Sequence, residues 1–434
     1  MIADGTSSTW SSPALPYLTS EDSEFRLTVT EGAWLVSIVS LSGIIGYLLL
    51  PLLSNHIGRK YTLLTYGILL LLSMIIIQLA NNFPFLLAGR TIFGIGSAGI
   101  YGLLPLYIGE IVHENVRGSF LTFDKMCVNI GAFLMTCAGA FFSYRNMNLV
   151  ILLIPLIGIC IFPLTLETPY YYLLKKRDKE AIAMKMKLTR AGKIEEVMPD
   201  IERMRNSIDD EERSTRSSLA DLFLDTVNRK ALVIKLMTSA TYAFSGYLAI
   251  QAYAQDLFAS SGTPLKPEYC VMIMTGIQIF AGLPSSRLVD IWGRRPTFLL
   301  SGVFSSLTLI ILGIFFYLKT FVDLSSVTWI PLLVLIMFTF FCNMGLTTIP
   351  YLYMGELFSI RVKGVATMVS LIIECLFTFV ARMILPLVNE WLGMFVSFWI
   401  YASTCLLGTI IVFVIAPETR GKNLEEVLEM FKLR

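Results

Sequence analysis

Charge is scarce in this sequence. Asp, Glu, Lys and Arg make up 15% of its 434 residues and hydrophobic residues 55%, whereas a soluble domain carries roughly 25% charge. Histidine is scarcer still, with 2 in the chain. Those two, His56 and His113, sit in polar stretches between apolar runs, and no catalytic constellation is visible, so the chain does not read as an enzyme. Cysteine offers no disulfide or zinc spacing. Cys127, Cys137, Cys160, Cys342, Cys375 and Cys405 lie inside apolar runs and Cys270 at the edge of one, where a thiol is a small buried hydrophobe. Alternation at period two is missing, which excludes a membrane barrel. Residues 1–18 lack the basic start and apolar core of a signal peptide. The net charge of +2 gives no reason to expect a nucleic-acid partner, and nothing implies a cofactor.

What the chain has instead is apolar blocks of about 16–28 residues, where a helical span needs roughly 20. They cover 34–53, 61–80, 84–108, 120–142, 149–164, 231–258, 269–288, 297–318, 329–354, 365–388 and 391–416. In lipid the backbone must satisfy its own hydrogen bonds, so each block should be a helix. The basic residues are concentrated: the stretch from Lys175 to Lys235 holds most of those outside the short loops, and the short loops with Arg59-Lys60, Arg294-Arg295 and Arg361-Lys363 fall on the same side. Positive charge marks the cytoplasmic face. Residues 1–31 hold Arg26 against Asp4, Glu21, Asp22, Glu24 and Glu31, which suits the outer face and implies an odd number of spans, about eleven.

The chain also repeats itself. Tyr107, Gly109 and Glu110 followed by Val116-Arg117-Gly118 match Tyr353, Gly355 and Glu356 followed by Val362-Lys363-Gly364. Gly58-Arg59-Lys60 with Thr62 matches Gly293-Arg294-Arg295 with Thr297, and Glu167-Thr168 matches Glu418-Thr419. The three pairs keep their order at an offset of about 235–250 residues, the mark of two homologous helical bundles. The paired charges are expected to form an ion-pair belt between the bundles that closes the inner gate. Exposed pairs of ~0–1 kcal/mol each suit a gate that must reopen.

These residues resemble the sugar porters of the major facilitator superfamily, most closely the insect facilitated trehalose transporter-like group. The resemblance runs from Trp10 to about Phe431. It rests on Trp10-Ser-Ser-Pro13-Ala-Leu15, Gly89-Arg90 with Gly94, Gly96 and Gly99, and the Tyr107–Gly118 motif. It continues through Glu167-Thr-Pro169, Tyr253 to Phe258, Asp290 with Gly293-Arg-Arg295, Pro350 to Phe358, and Pro417 to Gly421. Gly94, Gly96 and Gly99 lack the following Lys-Ser/Thr of a phosphate loop and read as helix packing; Gly345 and Pro350 read as hinge positions.

The resemblance implies an all-α membrane protein with the major facilitator fold. An N-terminal bundle covers 1–168 with its first helix largely absent, a cytoplasmic segment 169–230, a C-terminal bundle 231–416 and a cytoplasmic tail 417–434. It implies facilitated transport of a small polar solute, a sugar (hexose or trehalose-like), by alternating access in the plasma membrane. Its partners are then that solute and the bilayer. The gating residues it implies are Arg59, Arg90, Glu110, Arg117, Glu167, Asp290, Arg294, Arg295, Glu356, Lys363 and Glu418.

Departures from the family pattern fall where relatives hold sugar. The loop aspartate becomes Asn55. Amides of the seventh helix become Tyr242, Ala243 and Leu248. The tenth-helix run becomes Thr347, Thr348, Ile349, Pro350 and Tyr351, the fifth-helix glutamine becomes Lys125, and Asn-Trp of the eleventh becomes Glu374-Cys375. Gln278 keeps an amide. By family position Lys125, Tyr242, Gln278, Thr347, Thr348, Tyr351 and Glu374 are expected around one central cavity. A charge at that depth costs at least ~2.5–3.5 kcal/mol, so Glu374 should pair with Lys125, be protonated, or be solvated. Arg382 is expected to snorkel to the outer surface. Two rival readings are open: a non-transporting sensor or degenerate transporter, from the missing helix and altered cavity, and a proton-coupled carrier of a non-sugar solute, from Glu374 and Lys125.

Overall fold

A computed structural model describes the backbone of residues 1–112, 114–214, 218–422 and 424–433. The side chains of 114–119, 121–122, 207, 209–214, 218–219, 283–284, 286, 360–361, 424–425 and 432–433 are not described, so His113 and the Arg117 side chain lie outside the described residues. Among the described residues the elements are helical, without strands.

The N-terminal half holds α1 (Ile2–Thr9), α2 (Ser11–Thr19), α3 (Val29–Ile57), α4 (Arg59–Leu79), α5 (Phe83–Ile111), α6 (Glu114–Phe141) and α7 (Tyr144–Ile161). A connecting set comes next: α8 (Pro169–Leu174), α9 (Asp178–Thr189), α10 (Met198–Ser214) and α11 (Ser218–Leu224). The C-terminal half holds α12 (Thr226–Phe244), α13 (Tyr247–Ala252), α14 (Ala254–Ser261), α15 (Pro267–Trp292), α16 (Arg294–Leu318), α17 (Ile330–Phe341), α18 (Ile349–Glu356), α19 (Ile360–Leu392) and α20 (Met394–Ile415), with α21 (Leu424–Leu433) after it. By length and composition, 8 helical segments among the described residues can cross a membrane. Leu52, Leu79, Phe85, Leu106, Phe280, Leu407 and Val414 stand exposed on the outside, where only lipid accommodates so much apolar surface.

The N-terminal stretch, read as lacking most of a first helix, is itself helical. Residues 2–19 form α1 and α2, interrupted at Trp10, whose backbone stays helical at φ −50°, ψ −37°. Pro13 has no N–H to give the Thr9 carbonyl, which accounts for the interruption. The segment is held inside the half. Trp10 is fully buried, its indole Nε1 donates to Asn148 Oδ1 at 2.7 Å, and α1 packs along α6. Its polar Thr and Ser residues hid it from a hydropathy reading, but they are buried against neighbours rather than lipid.

Two further helices are broken where a continuous span was read. The 231–258 block becomes α12, α13 and α14, with Gly246 in the left-handed region at φ +76°. The span from α17 to α18 contains a π-helical turn at Cys342–Leu346, which includes the hinge candidate Gly345. Such insertions re-aim side chains and recur at functional sites.

The halves are separate bundles. Helices α3, α4 and α5 pack together in the first, α16, α17 and α20 in the second, and the two meet chiefly along α3 with α19 and α6 with α15. At one end α2 packs on α14, where the Gln255 backbone N–H donates to Ser12 Oγ at 3.3 Å.

Candidate functional site

Between the halves lies a cavity of about 230 Å³. Its walls are laid down by helix geometry. On α19 the residues Leu371, Glu374, Cys375, Thr378 and Arg382 line it, a spacing that keeps them on one helical face. Lys125 and Asn129 of α6 face it from the first half, with Asp4 and Ser97 of α1 and α5; Tyr242, Gln278, Asn343, Thr347 and Tyr351 face it from the second. Six of the seven residues expected here, Lys125, Tyr242, Gln278, Thr347, Tyr351 and Glu374, thus share one space. Thr348 does not line it, but its hydroxyl accepts from Lys125 Nζ at 3.0 Å and lies 3.1 Å from Ser285 Oγ.

A neutral network forms part of the wall. Gln278 Nε2 donates to the Tyr247 hydroxyl at 2.7 Å and to Asn129 Oδ1 at 3.3 Å. Asn343 Nδ2 donates to the same tyrosine oxygen at 3.0 Å, and Gln251 Nε2 donates to Gln278 Oε1 at 2.9 Å. Tyr101 and Tyr351 face one another across the halves with ring centroids 6.2 Å apart. Amides, hydroxyls and ring faces are what a polyhydroxylated solute requires. Gln251, Asn343 and Asn129 supply amides that the substitutions at Tyr242, Ala243 and Leu248 had suggested were lost.

The charges are arranged otherwise than expected. Glu374 does not pair with Lys125. Its Oε2 accepts from Lys235 Nζ at 3.1 Å and from Ser239 Oγ at 2.7 Å, while Oε1 accepts from the Tyr351 hydroxyl at 3.3 Å. The Lys235 side chain is 0% exposed and that of Glu374 9%. Lys235, grouped by sequence with the cytoplasmic basic residues, lies two turns inside α12 and serves the cavity wall. Lys125 reaches across to the other half, donating to Thr347 Oγ1 and Thr348 Oγ1 at 3.0 Å each, rather than snorkelling to the interface. Arg382 turns inward too, its Nη1 donating to Ser40 Oγ at 3.0 Å. Asp4 accepts from the Ser97 hydroxyl.

Apart from Arg90, the gating residues among the described residues form two matched clusters, one inside each half, rather than a belt between them. In the first, Arg59 Nε meets Glu110 Oε1 at 3.4 Å, and Glu167 accepts from the backbone N–H groups of Arg59 at 3.1 Å and Lys60 at 3.2 Å. In the second, Arg294 Nη2 meets Glu356 Oε1 at 2.9 Å, and Glu418 accepts from the N–H groups of Arg294 at 2.9 Å and Arg295 at 3.0 Å. Glu167 and Glu418 therefore cap the N-termini of α4 and α16, where unpaired N–H groups and the helix dipole favour an anion. Gly58 and Gly293 just before them adopt φ +94° and +91°, and a Cβ at either would strike the capping carboxylate. Asp290 supports Arg294 at 3.6 Å, where the first half has Asn55; in both halves the arginine Nη1 donates to the carbonyl five residues earlier, Arg59 to Ser54 at 3.2 Å and Arg294 to Val289 at 3.4 Å. Arg295 Nε donates to the Phe413 carbonyl at 2.6 Å, and Lys363 Nζ to the Gly355 carbonyl at 3.2 Å.

Arg90 belongs to neither cluster. It lies near the opposite end of α5 from Glu110, 1% exposed. Its Nη1 donates to the Ser7 carbonyl at 2.8 Å and its guanidinium covers the Trp10 and Phe93 rings at 5.2 and 5.0 Å. Its position along the helix, some twenty residues before Glu110 and so about 30 Å away, forbids a role in the inner cluster.

Comparison with known proteins agrees with this architecture. The family described as "Sugar (and other) transporter" matches residues 8–431. The chain is 30% identical to a facilitated trehalose transporter of Apis mellifera ligustica over 98% of its own length and 85% of that protein. It is also 30% identical to one of Anopheles gambiae, of which it spans 53%. Its fold matches the inward open conformation of the Escherichia coli xylose transporter XylE at a TM-score of 0.82 and 20% identity, over 99% of this chain and 97% of that one. XylE bound to 6-bromo-6-deoxy-D-glucose gives 0.76.

Proposed function

The chain belongs to the sugar (and other) transporter family of multi-pass membrane proteins, and we propose that it carries a small sugar across the plasma membrane by facilitated, alternating access. One observation carries this reading: a single cavity lined from both halves by amides, hydroxyls and tyrosine rings, at the boundary about which two repeated bundles would rock. The relatives named as trehalose transporters support a sugar as the solute. The proposed contacts are Gln278, Asn343, Thr347 and Tyr351, with Lys125, Tyr242 and Glu374 around them. Glu167 and Glu418 hold α4 and α16 in place as each bundle moves, and the ion pairs Arg59–Glu110 and Arg294–Glu356 brace the inner ends. Glu374 is engaged by Lys235, Ser239 and Tyr351, which speaks for a structural carboxylate and so for uniport.

Counterflow tests this reading. Proteoliposomes loaded with unlabelled sugar should accumulate labelled sugar transiently and saturably, with no need for a pH gradient. Uptake no greater than in protein-free vesicles would end it. Asp4 favours a second reading, since its carboxylate lines the cavity bonded to Ser97 without a cation within ion-pair distance among the described residues. Such a group suits proton-coupled entry. Uptake driven by an inward proton gradient and lost in Asp4→Asn would decide for that reading.

A further inference from the structure

We infer that the solute class of this cavity is an anionic sugar, a hydroxylated body bearing one carboxylate, held between cations contributed by the two halves. The inference rests on the transport reading and deepens it. Two cations line the cavity with no carboxylate of their own. Lys125 gives its ammonium to two neutral hydroxyls, those of Thr347 and Thr348. Arg382 gives one N–H to Ser40, and its buried Nε has no partner among the described residues. Glu374, the carboxylate on the same face of α19, is already neutralised by Lys235.

A further buried cation, Arg90 of α5, bonds among the described residues to backbone carbonyls and ring faces. The cavity lining and the ion pair in its wall thus hold three cations, Lys125, Arg382 and Lys235, against two carboxylates, Asp4 and Glu374. Asp124, beside Lys125 in sequence, does not line it. A buried charge without a counter-ion is expensive, and a neutral sugar does nothing for it. A carboxylate does, because the Arg382 fork accepts one in bidentate geometry. The hydroxyls of the same solute then meet Gln278, Asn343, Thr347 and Tyr351.

D-Glucuronate, D-glucose and inorganic phosphate are the probes. With the full chain in proteoliposomes, glucuronate should compete for the site on the order of tenfold better than glucose. In detergent it should raise the melting temperature at concentrations where glucose does not. Arg382→Gln should reduce the preference for glucuronate over glucose by a comparable factor, and Arg382→Lys should restore part of it. Lys125→Gln gives a second reading of the same ratio should the arginine variant fail to fold. Transport of glucose with no competition or thermal shift from glucuronate would overturn the inference, as would an unchanged ratio in both variants. A thermal shift from phosphate equal to that from glucuronate would overturn the sugar-acid assignment. A shift without uptake would uphold the anion site and remove the transport reading; neither shift nor uptake would remove both.

Discussion

Lys235 and Glu374, 139 residues apart in the chain, meet at 3.1 Å inside the second bundle. The pair joins α12 to α19 and, through the Tyr351 hydroxyl, reaches α18. A lone charge at this depth is costly, and the pairing offsets that cost for both residues.

Removing one member should therefore cost far more than removing both. Glu374→Gln or Lys235→Met should each destabilise the protein by about 3–5 kcal/mol, and Lys235→Met with Glu374→Leu should recover most of the loss. Denaturation of the purified protein in detergent, run as a double-mutant cycle, measures this. Simple additivity of the two single losses would deny the pairing.

The capping carboxylates should behave as a matched set. Glu167→Gln and Glu418→Gln each weaken two charge-assisted bonds to backbone N–H groups, with an expected loss of roughly 1.5–3 kcal/mol apiece. Thermal unfolding of the two variants should show similar losses. A loss at one site and none at the other would contradict the equivalence of the halves.

Gly58 and Gly293 should tolerate no side chain. Alanine must adopt a positive φ, at roughly 1–2 kcal/mol, and must also displace the capping carboxylate. Gly58→Ala and Gly293→Ala should therefore destabilise more than the corresponding Glu→Gln changes. A melting temperature unchanged in either would count against the geometry described.

The repeat was readable because its motifs are local: Gly-Arg, Gly-Glu and Glu-Thr recur in order, and each folds into the same corner of its own half. Their partnership was harder to see. Glu167 reads as half of an ion pair, yet it bonds the backbone N–H groups of Arg59 and Lys60, which no side-chain pattern announces. Lys235 was invisible as a cavity residue because positive charge beside a basic loop reads as cytoplasmic, and its partner lies far along the chain. Arg382 read as snorkelling because depth along a helix says nothing of which face it occupies. The helical character of residues 2–19 is hard to read because their buried Thr and Ser residues carry little hydropathy, and Asp4 as a cavity residue is hidden with it.

Orientation has its own test. Lys179 on α9 is exposed, and with the connecting helices in the cytoplasm a cysteine placed there should react with an impermeant maleimide only after the cells are opened. Labelling from outside intact cells would invert the topology.

The contact between Ser12 and Gln255 tests alternating access most directly. The Gln255 N–H meets Ser12 Oγ at 3.3 Å, joining the first half to the second on the side where α2 packs on α14. With Ser12→Cys and Gln255→Cys together, oxidation should lock that side shut, bring sugar counterflow down to the level of protein-free vesicles, and reduction should restore it, while either single variant transports throughout. Undiminished counterflow in the fully cross-linked protein would show that the halves need not part there, and the alternating-access account would fail.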